Sequence, residues 1–217
     1  MASIVVNRIL DRCEVLGPGV RAVIWVQGCP LRCQGCIAGE TLGFDGGAVR
    51  PVAELAAWLC SIDEAEGVTL SGGEPFSQAE ALALLLDEVR VTRPDFSAMS
   101  YSGFTLAALR RGSAAQRALL DRLDLLVDGP YQRARHADLR WRGSANQRLI
   151  PLTDRYADAA SLPDVGQGLE FTLGIDRTLS WAGVPSVPGF RDTLTAQLAS
   201  RGYGLRVQET EQAGGTR

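Results

Sequence analysis

Strand patterns alternate with helix patterns along residues 23–127, and this alternation constrains the fold more than any other feature. The predicted strands are short apolar runs at 23–26, 67–71, 96–101 and 125–127. The stretches between them that carry helical periodicity are 52–62, 81–89 and 105–123, the last interrupted near Gly112. Strands joined through helices lie parallel, with right-handed crossovers. The pattern therefore predicts an α/β fold built on a parallel sheet.

Local signals predict where two of these helices begin. Pro51 precedes the first helical stretch, at a position where a missing backbone N–H has no cost. Ser77 and Glu80 have the spacing of a capping box, which predicts that the second helix begins at Ser77.

The character of the sequence changes after residue 130. Residues 131–148 contain several arginines with no regular period, and Leu169 to Leu173 with Arg177 to Trp181 predict a hairpin. A helix at 190–200, a strand at 203–208 and a frayed tail at 209–217 are predicted to follow. We therefore expect a core at residues 1–150, with a C-terminal α+β extension at 151–217 packed on it.

Composition excludes several function classes. The 217 residues carry a net charge of −3, which argues against a general nucleic-acid binder. No apolar run has the length of a membrane span, and the first 16 residues are too polar for a signal peptide. We therefore expect a cytoplasmic protein whose cysteines are thiols or metal ligands. All 22 basic residues are arginine, so no lysine is present to form a Schiff base.

Three cysteines lie close together directly after the first predicted strand. Cys29, Cys33 and Cys36 follow the spacing C-x3-C-x2-C, and Gly28 and Gly35 permit tight turns around them. Thiolates suit an iron–sulfur cluster or zinc. The alternative is that all three are small buried apolar residues.

The other candidate ligands in the sequence help to decide between an iron–sulfur cluster and zinc. A structural zinc site needs four protein ligands, but Cys13, Cys60 and His136 each stand alone in the sequence. Three cysteines leave one iron of a four-iron cluster without a protein ligand, and an open metal position serves catalysis. Cys13 and Cys60 are interpreted as structural thiols.

This loop resembles that of the radical S-adenosylmethionine (SAM) superfamily. Further matches in family order are similar to the glycyl-radical-enzyme activases, including those that activate anaerobic ribonucleotide reductase. The matching runs, beginning upstream of the cysteines, are Gly17 to Arg21, Gln27 to Pro30, Thr69 to Phe76, Tyr101 to Phe104, Leu126 to Tyr131 and Leu139 to Arg148. They span residues 15–150, about two thirds of the chain.

The resemblance implies an oxidoreductase that binds a 4Fe-4S cluster and SAM at the C-terminal ends of the strands of a partial, open (β/α) barrel. Such an enzyme cleaves SAM reductively to a 5′-deoxyadenosyl radical, which abstracts hydrogen from a partner. Cys29, Cys33 and Cys36 would hold the cluster. The residues expected to contact SAM are Gly35, Cys36, Ile37, Gly72, Gly73, Glu74, Ser102 and Asp128. Turn or capping roles remain open for the glycines, Ser102 and Asp128.

The substrate and partners are less closely defined. A chain this short would complete its cavity with a macromolecular substrate, here a glycyl radical enzyme, and flavodoxin or ferredoxin would supply electrons. No contact with nucleic acid or membrane is expected. Partner or substrate contacts are predicted at Arg140, Trp141, Arg142, Asn146 and Arg148, since Arg and Trp are favoured anchors. A solvated loop is the alternative for this stretch.

Two other functions stay open. Activases commonly read His-Asn-Pro after the third cysteine, where this chain has Ile37-Ala38-Gly39-Glu40. That departure favours a radical SAM enzyme that acts on another peptide or on a small molecule. The second alternative is a non-catalytic module that binds an iron–sulfur cluster or zinc.

Overall fold

The computed structural model describes residues 2–175 and 178–203. Its strands are β1 Ser3–Cys13, β2 Arg21–Val26, β3 Ala48–Pro51, β4 Gly67–Gly72, β5 Ser97–Tyr101, β6 Leu125–Asp128, β7 His136–Leu139, β8 Arg142–Ser144, β9 Arg148–Pro151, β10 Leu169–Leu173 and β11 Leu179–Gly183. Its α-helices are α1 Val52–Ser61, α2 Ala79–Thr92, α3 Leu106–Arg110, α4 Ala114–Leu120 and α5 Phe190–Ser200. Short 3₁₀ helices lie at Gly39–Thr41, Pro75–Gln78, Arg133–Arg135 and Asp154–Ala160.

The main sheet combines parallel and antiparallel strands in the order β3-β1-β2-β4-β5-β6-β9. The strands β2, β4, β5 and β6 are parallel, as the sequence predicts. Antiparallel strands extend the sheet on both sides: β1 lies beside β2 and β3 beside β1, and β9 lies beside β6. The α/β class is thus confirmed, with an open mixed sheet as the described architecture. A barrel-like curvature of this sheet stays a prediction.

The two faces of the sheet bury different sets of side chains, because successive residues of a strand point to opposite faces. One face packs against α1, α2 and α4 and holds the larger apolar core, including Ile24 and Leu70. The opposite face carries Val23 and Trp25 on β2 and Met99 on β5. Side chains from loops, from the 3₁₀ helix Asp154–Ala160 and from the C-terminal segment pack on that second face.

A buried arginine joins the first residues of three parallel strands. Arg21 begins β2 and is fully buried. Its guanidinium donates to Thr69 Oγ1 at 3.3 Å, to Ser97 Oγ at 2.5 Å and to the Val68 carbonyl at 2.6 Å. Burial lowers the pKa of Arg21. These bonds fix the amino ends of β2, β4 and β5 relative to one another, opposite the end where the cysteines lie.

Of the two predicted helix starts, the first is confirmed, since α1 begins at Val52, and the second is not. Pro51 is the last residue of β3 and the N-cap of α1, so it lies one position before the helix. The helix α2 begins at Ala79 after a 3₁₀ turn, and the Glu74 side chain caps that turn by accepting from the Phe76 N–H. The predicted capping box at Ser77 is therefore wrong. A capping box does occur at Ser113, where α4 begins.

The C-terminal hairpin is confirmed with a shifted second strand. Leu169–Leu173 pairs with Leu179–Gly183, two residues beyond the predicted 177–181. The helix at Phe190–Ser200 is as predicted. Residues 176 and 177 and the predicted strand and tail beyond 203 lie outside the described residues, and the division at residue 150 stays a prediction. No described helix is long and apolar enough to cross a membrane.

Candidate cofactor site

The three clustered cysteines line a single pocket at the carboxyl end of β2. Cys29 is buried, whereas Cys33 and Cys36 are half-buried. The loop is closed by two backbone bonds, from the Cys36 N–H to the Cys33 carbonyl at 3.2 Å and from the Cys29 N–H to the Leu42 carbonyl at 3.2 Å. All five cysteines of the chain are described, and all are free thiols. The loop thus presents three thiols to one cavity.

The cysteine loop touches the end of β4 through its backbone. The Glu74 N–H donates to the Gly28 carbonyl at 2.9 Å, and the Gly73 N–H donates to the Val26 carbonyl at 2.8 Å. A Cβ on Gly73 would lie 2.3 Å from the Gly28 oxygen, and one on Gly72 would lie 2.6 Å from the Val26 oxygen. Only glycine lets the two backbone segments come this close at these positions. Both predicted glycines therefore line the same pocket as the cysteines.

Glu74 is buried beside these glycines, with 1% of its surface exposed. Its carboxylate accepts from the Gly103 N–H at 2.8 Å, from the Phe76 N–H at 3.0 Å and from Ser102 Oγ at 3.0 Å. Burial raises the pKa of Glu74 to about 7, because desolvation of the charge outweighs the three hydrogen bonds that favour it. The Glu74 carboxyl group lines the pocket, and a charge placed beside it would change its protonation.

Ser102 and Asp128, both predicted to contact SAM, occupy different surroundings. Ser102 lines the pocket through the bond to Glu74 described above. Asp128 is not among the lining residues of this pocket; it is buried, pairs with Arg148 and accepts from the Leu106 N–H at 2.6 Å. The structure thus gives Asp128 the capping role that the sequence left open.

The predicted adenine contacts lie where two neighbouring cavities meet. Cys36 and Ile37 line both the cysteine pocket and an adjoining cavity, whereas Gly35 lines only the adjoining one, with Tyr131 and Arg133. Gly35 has a φ of 73°, in the left-handed region that favours glycine. A Cβ there would lie 3.3 Å from the Arg133 side chain.

The donor set fits an iron–sulfur cluster. Burial raises the pKa of the Cys33 and Cys36 thiols, and the nearby Cys29 adds to this effect. A bound metal reverses that tendency, because its positive charge favours thiolate. Within residues 2–175 and 178–203, no three Cys, His or carboxylate side chains are grouped as ligands of one metal ion. A four-iron cluster does not need its three cysteines on one ion, because each cysteine binds a separate iron. It needs only that the three thiols face one pocket, as they do here.

The residues predicted to contact a partner form bonds within the chain. Trp141 is 4% exposed and packs with Met99 and Leu125, so its ring is a core group. The arginines bind nearby oxygens: Arg140 donates to the Pro163 carbonyl at 2.9 Å, Arg142 pairs with Asp164, and Arg148 with Asp128. Asn146 donates to the Pro130 carbonyl at 2.7 Å. A partner contact at these residues stays a prediction.

Sequence reasoning missed part of the pocket wall. The missed lining residues include Arg8, Leu16, Trp25, Tyr101, Tyr131, Trp181 and Val184. Tyr101 adjoins the predicted Ser102, so its position at a strand end was a usable signal. Arg8 lies on β1, which was not predicted. Trp181 is distant in sequence from every motif, and only the packing of β11 brings it to the pocket.

These features define a class of protein: an α/β enzyme with a cluster-binding cysteine loop at the ends of its parallel strands. The chain belongs to the family described as the 4Fe-4S single cluster domain, within the radical SAM superfamily, and the match covers residues 15–150. This confirms the predicted family, and with it a 4Fe-4S cluster and SAM as cofactors. The elements β10, β11 and α5 lie beyond the match.

Curated relatives specify the resemblance further. The chain is 34% identical to the anaerobic ribonucleoside-triphosphate reductase-activating protein of Vibrio cholerae over 146 residues, which is 64% of this chain and 92% of that protein. It is 32% identical to the protein of the same name from enterobacteria phage T4 over 145 residues, 64% of this chain and 89% of the phage protein. The Escherichia coli protein of that name is 30% identical over 140 residues, 61% of this chain and 89% of that protein.

Proposed function

We propose that this protein activates a glycyl radical enzyme, and that its partner is an anaerobic ribonucleotide reductase. One observation carries the proposal: the three cysteines and the Gly72-Gly73-Glu74 strand end line one pocket. The relatives named as activating proteins of that reductase support the choice of partner.

The cluster and SAM, when bound, would supply one-electron chemistry that removes a hydrogen atom from a glycine Cα of the partner. The residues of this chain hold and orient these groups. Cys29, Cys33 and Cys36 ligate three irons. Gly72 and Gly73 let the methionine end approach the backbone, and Glu74 accepts hydrogen bonds from its amino group.

Further contacts with SAM are assigned by position. Ile37 and the backbone at Gly35 and Cys36 adjoin the adenine, and Ser102 holds Glu74 in place. Asp128 acts at a distance by capping the turn at Leu106. These roles follow from the pocket that most of these residues share and from their order in the family motifs.

The electron reaches the cluster from a flavodoxin or a ferredoxin, and the reaction takes place in the cytoplasm. Five free thiols suit that reducing compartment. Residues 1–150 form the catalytic core in this proposal, and residues 151–217 form an extension that packs on it.

Anaerobic reconstitution with iron and sulfide tests the proposal. With SAM and a strong reductant, the protein should produce 5′-deoxyadenosine and generate a glycyl-radical EPR doublet on the reductase. The variants Cys29→Ala, Cys33→Ala and Cys36→Ala should lower both signals to background. Cys60→Ala, outside the pocket, is the matched control and should keep both.

Two results would contradict this function. A protein that binds a cluster but never cleaves SAM would be a binding module. A protein that cleaves SAM yet gives no doublet on any reductase would act on another substrate. A specific observation favours keeping that second candidate: Trp181 and Val184, which lie beyond the family match, line the pocket.

A further inference from the structure

The pocket has a wall that neither the cluster nor the proposed SAM contacts account for. Its side chains come from the segment leading into β2, from the ends of β2 and β5, from β1 and from the C-terminal segment. They are Arg8, Leu16, Trp25, Tyr101, Trp181 and Val184. Most of this surface is aromatic or aliphatic. The polar groups of Tyr101 and Arg8 therefore indicate which ligand chemistry it can bind.

Tyr101 supplies the first polar group. It ends β5 and lines the pocket, and its hydroxyl is buried with no hydrogen-bond partner in the described part of the chain. Burial raises the pKa of Tyr101, so the hydroxyl stays protonated and can donate. A buried donor without an acceptor is costly, which points to an acceptor that arrives with a ligand.

Arg8 supplies the second polar group. Its guanidinium lies over the Trp25 ring at 3.8 Å, and its Nη1 donates to the Trp181 carbonyl at 3.1 Å. Its Nε is buried and makes no hydrogen bond within residues 2–175 and 178–203. Stacking on Trp25 and the bond to β11 hold this side chain in one place, with a donor left over.

We propose that Tyr101 and Arg8 are substrate-binding residues that donate to main-chain carbonyl groups of the partner segment carrying the reacting glycine. This inference rests on the proposed function and deepens it. Two buried donors that have no partners among the described residues, set between apolar walls, suit the carbonyl oxygens of an extended peptide. A glycine segment suits this surface because no side chain at the reacting position keeps its backbone away.

The C-terminal hairpin and the residue that follows it contribute to this subsite. Trp181 and Val184 form one side of it, and the Trp181 carbonyl also orients Arg8. The family match ends at residue 150, so this side of the entrance is built by sequence beyond the shared core. Residues beyond the shared core therefore line this side of the pocket.

Tyr101→Phe tests the first donor, because it removes only the hydroxyl. We expect the KM for the reductase to rise, or the yield of glycyl radical per SAM cleaved to fall, by about fivefold to tenfold. Cluster absorbance and SAM affinity should stay within about twofold of the wild-type values. Tyr203→Phe, at a tyrosine that is 64% exposed, is the matched control and should equal the wild type.

Arg8→Gln tests the second donor in the same assay, with Arg12→Gln on the same strand as the control. Arg12 is exposed and pairs with Glu14. An unchanged KM and radical yield in both Tyr101→Phe and Arg8→Gln would overturn the inference while the wild type still activates the reductase. A loss of SAM affinity with an unchanged KM for the reductase would assign the donors to SAM and also overturn it. A wild type that forms no glycyl radical would instead overturn the proposed function, and this inference with it.

Discussion

The cofactor side and the C-terminal side of the pocket are built in different ways. On the cofactor side, backbone meets backbone: the ends of β2 and β4 are joined by bonds from Gly73 and Glu74 at 2.8 and 2.9 Å. On the C-terminal side, side chains form the attachments. Arg8 reaches the Trp181 carbonyl at 3.1 Å, and the Glu170 carboxylate accepts from the Glu14 N–H at 2.9 Å.

This difference separates positions that accept one residue type from positions that accept several. A backbone contact that excludes a Cβ allows one residue type only, so it is recorded in the sequence as a motif. A wall attached by rings and ion pairs accepts many residue types. Trp181 and Phe190, whose ring centroids lie 5.6 Å apart at an edge-to-face angle, are an example of such packing. The cofactor side and the proposed substrate-binding wall therefore lie on two surfaces under different constraints.

Gly73→Ala should have the largest effect, because it breaks the backbone contact. The added Cβ would lie 2.3 Å from the Gly28 carbonyl oxygen, so the cysteine loop and β4 must separate. We expect a loss of unfolding free energy of about 3 kcal/mol or more, and loss of SAM cleavage. Urea unfolding of the apoprotein and 5′-deoxyadenosine formation measure the two effects.

Gly39→Ala is the control for that prediction. No atom lies within 4 Å of a Cβ at Gly39, so the same chemical change should cost little. Gly73→Ala could instead unfold at the same urea concentration as Gly39→Ala and still cleave SAM. The backbone contact at Gly73 would then not require glycine, and the cofactor side would tolerate substitution as well as the C-terminal side.

The pH dependence of stability should show a smaller effect on the same side. Glu74 has a pKa of about 7 in the folded protein and 4.5 as the ordinary value. The folded state thus holds this proton more tightly, so the contribution of Glu74 to the unfolding free energy declines as pH rises from about 4.5 to about 7. The decline is at most about 3 kcal/mol.

Urea unfolding of the apoprotein at two pH values measures this decline. The wild-type value minus that of Glu74→Gln should be lower at about pH 8 than at about pH 5.5. Glu80→Gln, on the exposed surface of α2, should show no such trend. A difference that instead grew with pH would mean that the three hydrogen bonds outweigh burial.

Arg191→Ala should have the smallest effect, on the C-terminal side. Arg191 in α5 pairs with Glu40 at 2.8 Å, with side chains that are 39% and 29% exposed. Because solvent screens such pairs, a double-mutant cycle with Glu40→Ala should give a coupling of about 0.2–1 kcal/mol that falls with added salt. A salt-independent coupling above about 2 kcal/mol would mean that Arg191 and Glu40 behave as a buried ion pair. The C-terminal side would then be held as firmly as the cofactor side.

Prediction from sequence succeeded where the pattern was local and repeated. The four parallel strands, the C-terminal hairpin and α5 follow from apolar period and turn residues alone. The strand β1 was missed because its polar residues Asn7, Arg8, Asp11 and Arg12 obscure the alternation. The capping box at Ser77 failed for a tertiary reason, since Glu74 caps the preceding turn from its place beside the pocket.

The sequence by itself determined the chemistry of this protein, because three thiols within eight residues and a double glycine are short-range features whose spacing is set by the chain. Tertiary structure alone decided what surrounds them. It placed Trp141 in the core, turned Asp128 toward Arg148, and brought Arg8, Tyr101 and Trp181 to one wall. Contacts between residues that are distant in sequence, such as Arg8 and Trp181, depend on how strands pair and layers pack, and no local pattern records them.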